Sequence, residues 1–274
     1  MVEYAVANAA IVPVRENPSE GAEQLTQLLF GEVCEVLDRL PRWTKVRSTL
    51  DGQEGWVDFK MVSLGEEVIE ARGDEAVVAA PMAVATPMDG GADLLLTLGT
   101  RLPHYFHGTF EVLGHQYLID PTCVNVTTAQ QSTGEADLQQ MDPQRSDIVT
   151  IAQSLLNAPY LWGGKNLMGM DCSGFTQVVY AAMGINLLRN AREQITQGEL
   201  VPSLAEAQPG DLAFFDHADR DPKATNISHV GLLLSSKEII HCSGRVRVDR
   251  IDEQGINLPD GTLTHHLVQI NSYL

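Results

Sequence analysis

Along the first part of the chain, apolar side chains come in short runs broken by turn-forming residues. Gln27–Val36, Thr44–Ser48 and Glu54–Val57 read as strands, with turns at Pro18-Ser19-Glu20-Gly21 and Asp51-Gly52. Ala76–Ala80, Leu94–Leu98, Phe110–Leu113 and Gln116–Ile119 repeat that texture, with turns at Asp89-Gly90-Gly91 and Leu113-Gly114-His115. Two small all-β barrels, over 1–67 and 68–126, fit this pattern better than one large sheet. Thr127–Gln140 is polar and free of aromatics, which predicts a linker over 127–145. The period then changes. Ile148, Val149, Ala152, Leu155 and Leu156 follow a 3.6-residue spacing behind Ser146, a candidate N-cap. A second helical stripe, Phe175, Val178, Val179, Ala182 and Met183, opens at Cys172 and stops at Gly184. Leu212–Phe215, Ile227–Leu234, Glu238–His241 and Leu267–Ile270 read as strands. Helices first and antiparallel strands afterwards give an α+β layout for residues 146–274.

Composition narrows the function. At 274 residues the chain exceeds one typical domain, in keeping with two or three compact units. Its 18 Lys and Arg against 36 Asp and Glu leave a formal charge of −18. That balance argues against nucleic acid and anionic membrane as partners, and requires any anionic substrate to be held by a few local cations or N–H groups. Met1–Val14 has no Lys or Arg and is interrupted by Asn8 and Pro13, unlike a secretory leader. No run approaches the roughly 20 apolar residues that span a bilayer. The expectation is a cytoplasmic protein if residue 1 is its natural start, and a secreted one if a leader has been removed. Cys34, Cys123, Cys172 and Cys242 are scattered and form no CxxC pair, which argues against a zinc site or a disulfide framework.

One of these cysteines stands where chemistry is favoured. Cys172 falls in the first turn of its helix behind Asp171, a good N-cap. The macrodipole and open N–H groups there favour a thiolate and can hold an oxyanion. Ile227, His229, Gly231 and Leu233 share one face of a strand, and Ile239 and His241 share a face of the next. A turn centred on Ser236 sets His229 opposite Ser243 and His241 opposite Gly231. The two imidazoles then sit diagonally on one face, so one can take the thiol proton while the other orients it. A pair of structural histidines fits the same spacing. His217 lies in a polar loop, and His265 and His266 read as late-strand surface residues without a partner at useful spacing. The same holds for His104, His107 and His115.

Tyr160-Leu161-Trp162-Gly163-Gly164, Asp171-Cys172-Ser173-Gly174-Phe175, Pro209-Gly210-Asp211-Leu212, Ser228-His229-Val230-Gly231 and Ile240-His241-Cys242-Ser243-Gly244 occur in this order. Together they resemble the motifs of the NlpC/P60 cysteine peptidases over nearly all of 146–274. The resemblance implies a papain-like fold, a Cys172-His229-His241 triad, Tyr160 polarising the oxyanion and a peptidoglycan-derived peptide as substrate. The front half resembles bacterial SH3 domains through residues 21–27, Trp43-Thr44-Lys45-Val46 and Asp51–Val57. Paired SH3-type domains ahead of such a peptidase are similar to the γ-D-glutamyl-L-diamino acid peptidases of murein peptide recycling. In that group the first SH3-type domain closes one end of the cleft. Carried over, Glu23 and Asp171 would receive the free α-amine of L-Ala. Arg189, helped by Ser173, would pair with the α-carboxylate of D-Glu, and Asn190 and Trp162 would complete the substrate contacts. Two positions depart from the group: Gln53 replaces a Tyr, and Arg189-Asn190-Ala191-Arg192-Glu193-Gln194 replaces Arg-Asp-x-Ser-x-Gln. A solvated loop carboxylate is the plain alternative for Glu23, and Arg192 reads as a surface charge.

The expected activity is hydrolysis of the γ-D-Glu to diamino acid bond in peptides beginning with free L-Ala, where the diamino acid is meso-diaminopimelate or L-Lys. No metal or organic cofactor is implied. Two rivals share the chemistry: a wall-targeted endopeptidase acting on intact stem peptides, and an amide or acyl transferase using the same thioester.

Overall fold

The computed structural model describes residues 2–65, 75–127, 143–217 and 226–274. The first strands are β1 (Tyr4–Ala7), β2 (Ile11–Arg15), β3 (Gln24–Leu29), β4 (Val33–Arg39), β5 (Trp43–Ser48), β6 (Glu54–Asp58) and β7 (Val62–Gly65). They form one antiparallel sheet in the order β3-β2-β6-β5-β4-β1-β7. Its inward face alternates strictly in β2, where Val12 and Val14 are buried, and packs with Leu28, Cys34, Val46 and Val57. The run expected as one strand over Gln27–Val36 is two strands. Gly31 turns the chain at φ 79°, a conformation that costs glycine little.

The next seven are β8 (Glu75–Val78), β9 (Met82–Pro87), β10 (Leu94–Thr97), β11 (Arg101–Leu102), β12 (Thr109–Val112), β13 (His115–Ile119) and β14 (Val124–Thr127). They form a four-stranded sheet, β10-β9-β13-β12, and a three-stranded one, β11-β8-β14. Val78, Leu96, Phe110 and Ile119 are buried between them, and Val6 of β1 and Phe30, in the turn after β3, join the same cluster. The two front units therefore share apolar interior. The boundary expected at 67/68 lies outside the described residues, as does most of the linker expected over 127–145. Its ends belong to regular structure, Thr127 to β14 and Pro143–Arg145 to the first helix.

The last part opens with α1 (Pro143–Ser154), β15 (Lys165–Asn166), β16 (Gly169–Met170), α2 (Cys172–Ala181) and α3 (Ala191–Gln194). Ser146 lies inside α1 and is not its N-cap. The apolar stripe is as expected, with Ile148, Ala152 and Leu155 buried beside Phe175 and Val179 of α2, but Leu156 is exposed. Then come β17 (Glu199–Val201), β18 (Leu212–His217), β19 (His229–Ser235), β20 (Glu238–Ser243), β21 (Arg245–Asp252), β22 (Gly255–Asn257) and β23 (Leu263–Ser272). Their order is β17-β23-β18-β19-β20-β21-β22, and β22 also pairs with β23, so six strands close on themselves. One face of this closed sheet packs Leu212, Phe214, Val230, Leu232 and Ile240 against the helices. The other packs Phe215, Leu233, Ile239, Ile251, Ile256 and Ile270 together.

The front units pack against α2, the helix that Cys172 opens. An added Cβ at Gly99 would lie 3.3 Å from Val178, and Asn125 Nδ2 donates to the carbonyl of Ala182 at 2.9 Å. Arg101 also hydrogen-bonds Asn186.

Candidate active site

Asp171 caps α2 by accepting the Gly174 N–H at 2.7 Å, which leaves Cys172 as the first helical residue. The thiol is 9% exposed, and the backbone N–H groups of Val230 and Ser173 face its sulfur. Val230 directly follows His229, so the sulfur lies against the strand that carries the imidazole. The expected thiolate is not favoured by the site at rest. Burial pushes the Cys172 thiol up to about 12, the Asp171 carboxylate adds to this, and the N–H groups and Arg189 only partly offset them. A thiolate forms here only if a neighbouring group takes its proton.

The imidazole on that strand belongs to a hydrogen-bonded chain. His229 Nε2 and His241 Nδ1 are 2.8 Å apart, and His241 Nε2 lies 2.9 Å from Asp249 Oδ2. Gly231 and His241 are register partners, as the turn at Ser236 requires. A Cβ on Gly231 would come within 2.8 Å of His241 Cβ, so glycine leaves room for the ring. The partners fix the tautomers. A carboxylate only accepts, so His241 carries its proton on Nε2 and accepts at Nδ1. His229 then carries its proton on Nε2, and its Nδ1 is the basic atom. Burial pushes the Asp249 carboxyl up, but the hydrogen bond and charge of His241, with Arg247 at 2.7 Å, hold it below the usual carboxylate range.

Two members of this cluster lie outside the expected triad. Asp249 sits on β21, two residues beyond Arg247, the register partner of His241. Extending the hairpin arithmetic by one strand would have found it. His265, read from the sequence as a surface residue without a useful partner, stacks on His229 with ring centroids 4.4 Å apart and planes 29° apart. Nothing local signals this, because β22 and β23 close the sheet from positions distant in the chain.

The charged substrate contacts are arranged differently from expectation. Arg189, 1% exposed, donates from Nη1 to Asp171 Oδ1 at 3.0 Å and from Nη2 to Asp171 Oδ2 at 2.7 Å. Its Nη1 also reaches Ser173 Oγ, and its Nε donates to Thr26 Oγ1 of β3. Asp171 further accepts from the Gly163 N–H and the Ser173 hydroxyl. Both carboxylate oxygens are thus occupied, and the two charges expected to bind opposite ends of a substrate pair with each other. Asn190 donates to Glu193 Oε2 at 2.8 Å and to Gln53 Oε1 at 3.3 Å, so the two positions that depart from the family pattern touch. Arg192 is exposed, as expected.

Glu23 and Trp162 do meet. The Trp162 indole N–H donates to Glu23 Oε1 at 2.7 Å, and Gln24 Nε2 donates to the Trp162 carbonyl. Gly163, at φ 71°, lets the loop approach so closely that a Cβ would fall 2.4 Å from the Gln24 carbonyl. Burial, with Cys172 and Asp171 nearby, pushes the half-exposed Tyr160 phenol up, so it stays a hydrogen-bond donor.

Residues 157–259 match the NlpC/P60 family, and residues 11–63 match the bacterial SH3 domain. The γ-D-glutamyl-L-lysine dipeptidyl-peptidase of Bacillus subtilis (strain 168) is 30% identical over 228 residues, 79% of this chain and 71% of that protein. The protein of that name from Bacillus cereus is 27% identical over 229 residues, again 79% of this chain but 66% of its own length. The crystal structure of an NlpC/P60 family protein from Bacillus cereus superposes with a TM-score of 0.78 at 21% identity, covering 99% of each chain. The chain belongs to the NlpC/P60 family, with an SH3-like all-β region ahead of its NlpC/P60 domain.

Proposed function

We propose that the protein is a cysteine peptidase that hydrolyses the γ-D-Glu to diamino acid bond of murein-derived peptides beginning with free L-Ala. The observation that carries the reading is the Asp249–His241–His229 chain, whose last imidazole directly precedes Val230, the residue whose N–H faces the Cys172 sulfur at a helix N-terminus. The names of the two Bacillus relatives support the choice of bond.

In this reading His229 Nδ1 takes the Cys172 thiol proton as sulfur attacks the γ-carbonyl carbon. The Tyr160 hydroxyl and the Cys172 N–H stabilise the oxyanion. Collapse breaks the C–N bond, and His229 returns the proton to the departing amine of the diamino acid. Water, deprotonated by His229, then attacks the thioester and releases L-Ala-γ-D-Glu with the thiol restored. His241 and Asp249 hold the imidazole in the required tautomer and stabilise the imidazolium. No metal is needed by these steps.

Glu23 takes the substrate ammonium. One of its oxygens holds Trp162, and a carboxylate has about four acceptor positions, so it retains capacity for a cation. Asp171, Ser173, Arg189 and Asn190 form the frame that seats the first unit on the nucleophile helix, through Thr26 and Gln53. Residues 1–67 and 68–126 are the two SH3-like domains of this arrangement, the first bordering the cleft, and 146–274 is the peptidase domain.

The test is a comparison of free and N-acetylated L-Ala-γ-D-Glu-diamino acid. Glu23 is exposed, so water replaces much of a lost cation contact, and acetylation is expected to lower kcat/KM by about twofold to tenfold. Glu23→Gln shrinks that gap by slowing the free peptide. Equal rates on both peptides, with Glu23→Gln silent, would refute the ammonium pocket and favour cleavage of intact stem peptides.

A further inference from the structure

Five adjacent strands of the closed sheet bring side chains to one cluster. Phe215 comes from β18, His229 from β19, His241 from β20, Asp249 from β21 and His265 from β23. The relay just described uses three of them. The His265 ring covers the face of His229 at 4.4 Å and 29°, the geometry of an offset stack. Phe215 flanks the same ring, its centroid 6.1 Å from that of His229 and 6.3 Å from that of His265. His229 is thus held by an in-plane hydrogen bond to His241 and by a ring on its face.

We propose that His265 is a positioning residue for the general base: its stacked ring fixes the plane of His229 so that Nδ1 faces the Cys172 sulfur, and supports the imidazolium that forms there. The proposal rests on His229 being the base. A hydrogen bond at Nε2 does not by itself fix rotation of the ring about that bond, a rotation that swings Nδ1 towards or away from the sulfur. A stacked ring removes this freedom. When His229 accepts the thiol proton, the face of a neutral imidazole attracts the charge, as aromatic faces attract cations. A protonated His265 at the same distance repels it. The stack therefore works in one protonation state and opposes the reaction in the other.

The groups facing His229 set the rest of the charge balance. Cys172 approaches from α2 and is neutral until it reacts. His241 lies in the plane, with the Asp249 carboxylate behind it and the Arg247 guanidinium on that carboxylate. Thr264 Oγ1 lies 3.0 Å from His265 Nδ1; on β18 Phe215 adds no charge, while His217 is the register partner of His265 and Asp216 that of His266. His265 is thus the titratable ring whose charge falls directly on the face of the base.

Three variants separate positioning from simple support of the fold. His265→Ala removes ring and charge, His265→Phe keeps a ring without titration, and His229→Ala removes the base. Two readouts are followed across pH: peptide hydrolysis, and alkylation of Cys172 by iodoacetamide, localised by mass spectrometry. The second needs no substrate, so it decides the matter even if the wild type leaves the chosen peptide intact. That result alone would count against the substrate reading and not against the stack. Loss of pH-dependent Cys172 reactivity in His229→Ala checks the assignment of the base separately. His265→Ala is expected to lose about tenfold or more in kcat and in the alkylation rate near neutral pH, with KM within about threefold and circular dichroism preserved. His265→Phe is expected to recover most of that loss, with an acid limb reaching to lower pH than in the wild type, since no second positive charge forms beside the base. Wild-type rates in His265→Ala, a His265→Phe no better than Ala, or an acid limb in His265→Phe that superimposes on the wild type would each overturn the proposal.

Discussion

His241 is fully buried between partners of different chemistry, an imidazole on Nδ1 and a carboxylate on Nε2. Its value lies in passing the preference of one to the other. Asp249 accepts and cannot donate, so every proton along the chain is placed by it. Asp249→Asn keeps the shape but lets the amide offer either role, and it removes the counter-charge of the imidazolium. The expected loss in kcat is on the order of tenfold to a hundredfold. This is short of the ~10⁴-fold seen when a triad loses tautomer control, because Asp249 acts through a second imidazole. The pH dependence has a definite sign. The Asp249 carboxyl is held below its ordinary range, so its charge is present above that range and disappears only as pH falls through the lowered value. In Asp249→Asn the charge is missing at every pH, and the acid limb of kcat/KM moves to lower pH. A kcat within twofold of wild type, with an unmoved limb, would show that His241 needs no carboxylate. Strand periodicity and turn position made the meeting of His229 and His241 legible in the sequence. They did not announce Asp249 or His265, whose roles exist only once β21 and β23 are placed beside the hairpin.

β15 is two residues long, yet it joins the catalytic part to the first sheet. Lys165 Nζ bonds both oxygens of Glu32, at 2.9 and 3.2 Å, and the Lys165 N–H and Asn166 Nδ2 both donate to Gln27 Oε1. Burial pushes the Glu32 carboxyl up despite Lys165 pulling it down, as expected for a pair taken out of water. Glu32→Met leaves the buried Lys165 ammonium without its hydrogen-bonded carboxylate, though the Asp51 charge stays nearby, which costs up to about 3–5 kcal/mol, whereas adding Lys165→Met removes the bonded pair and recovers part of it. Thermal unfolding followed by circular dichroism is the check. A double variant no more stable than Glu32→Met would mean that the pair does not bear on stability. Long periodic elements such as α2 and the β19–β20 hairpin were readable because one face is apolar throughout. β15, β16 and β22 were not, since two or three residues carry no period. β21 does carry a period, since Arg245-Val246-Arg247-Val248-Asp249 alternates charged and apolar residues, with Val246 and, beyond it, Ile251 buried, and it is readable as the strand after the hairpin. Ser146 misled as an N-cap because the apolar stripe starts after it, while α1 already begins at Pro143.

Across the whole molecule, the acidic excess of −18 coexists with cations turned inward. Arg189, Lys165 and Arg145 are each buried against a carboxylate, Asp171, Glu32 and Asp211 respectively. The first two sit where the first sheet meets the catalytic part, so the interface is written in paired charges that composition alone does not locate. The order of units was legible from texture and motifs. The closeness of their packing was not, because Val6 and Phe30 in the second core, or Gly99 against Val178, depend on contacts far apart in sequence. The central claim is that Cys172 cuts the γ-D-glutamyl bond through a thioester. L-Ala-γ-D-Glu-L-Lys and its meso-diaminopimelate counterpart are mixed with the protein, quenched in acid, and the products and intact protein are weighed by mass spectrometry. The expected products are L-Ala-γ-D-Glu and the free diamino acid. A transient protein species heavier by the L-Ala-γ-D-Glu acyl group is also expected, mapped to Cys172 and absent from a folded Cys172→Ala variant. Cleavage that survives in that variant, or a wild type that leaves both peptides intact while cutting whole sacculi, would contradict the claim.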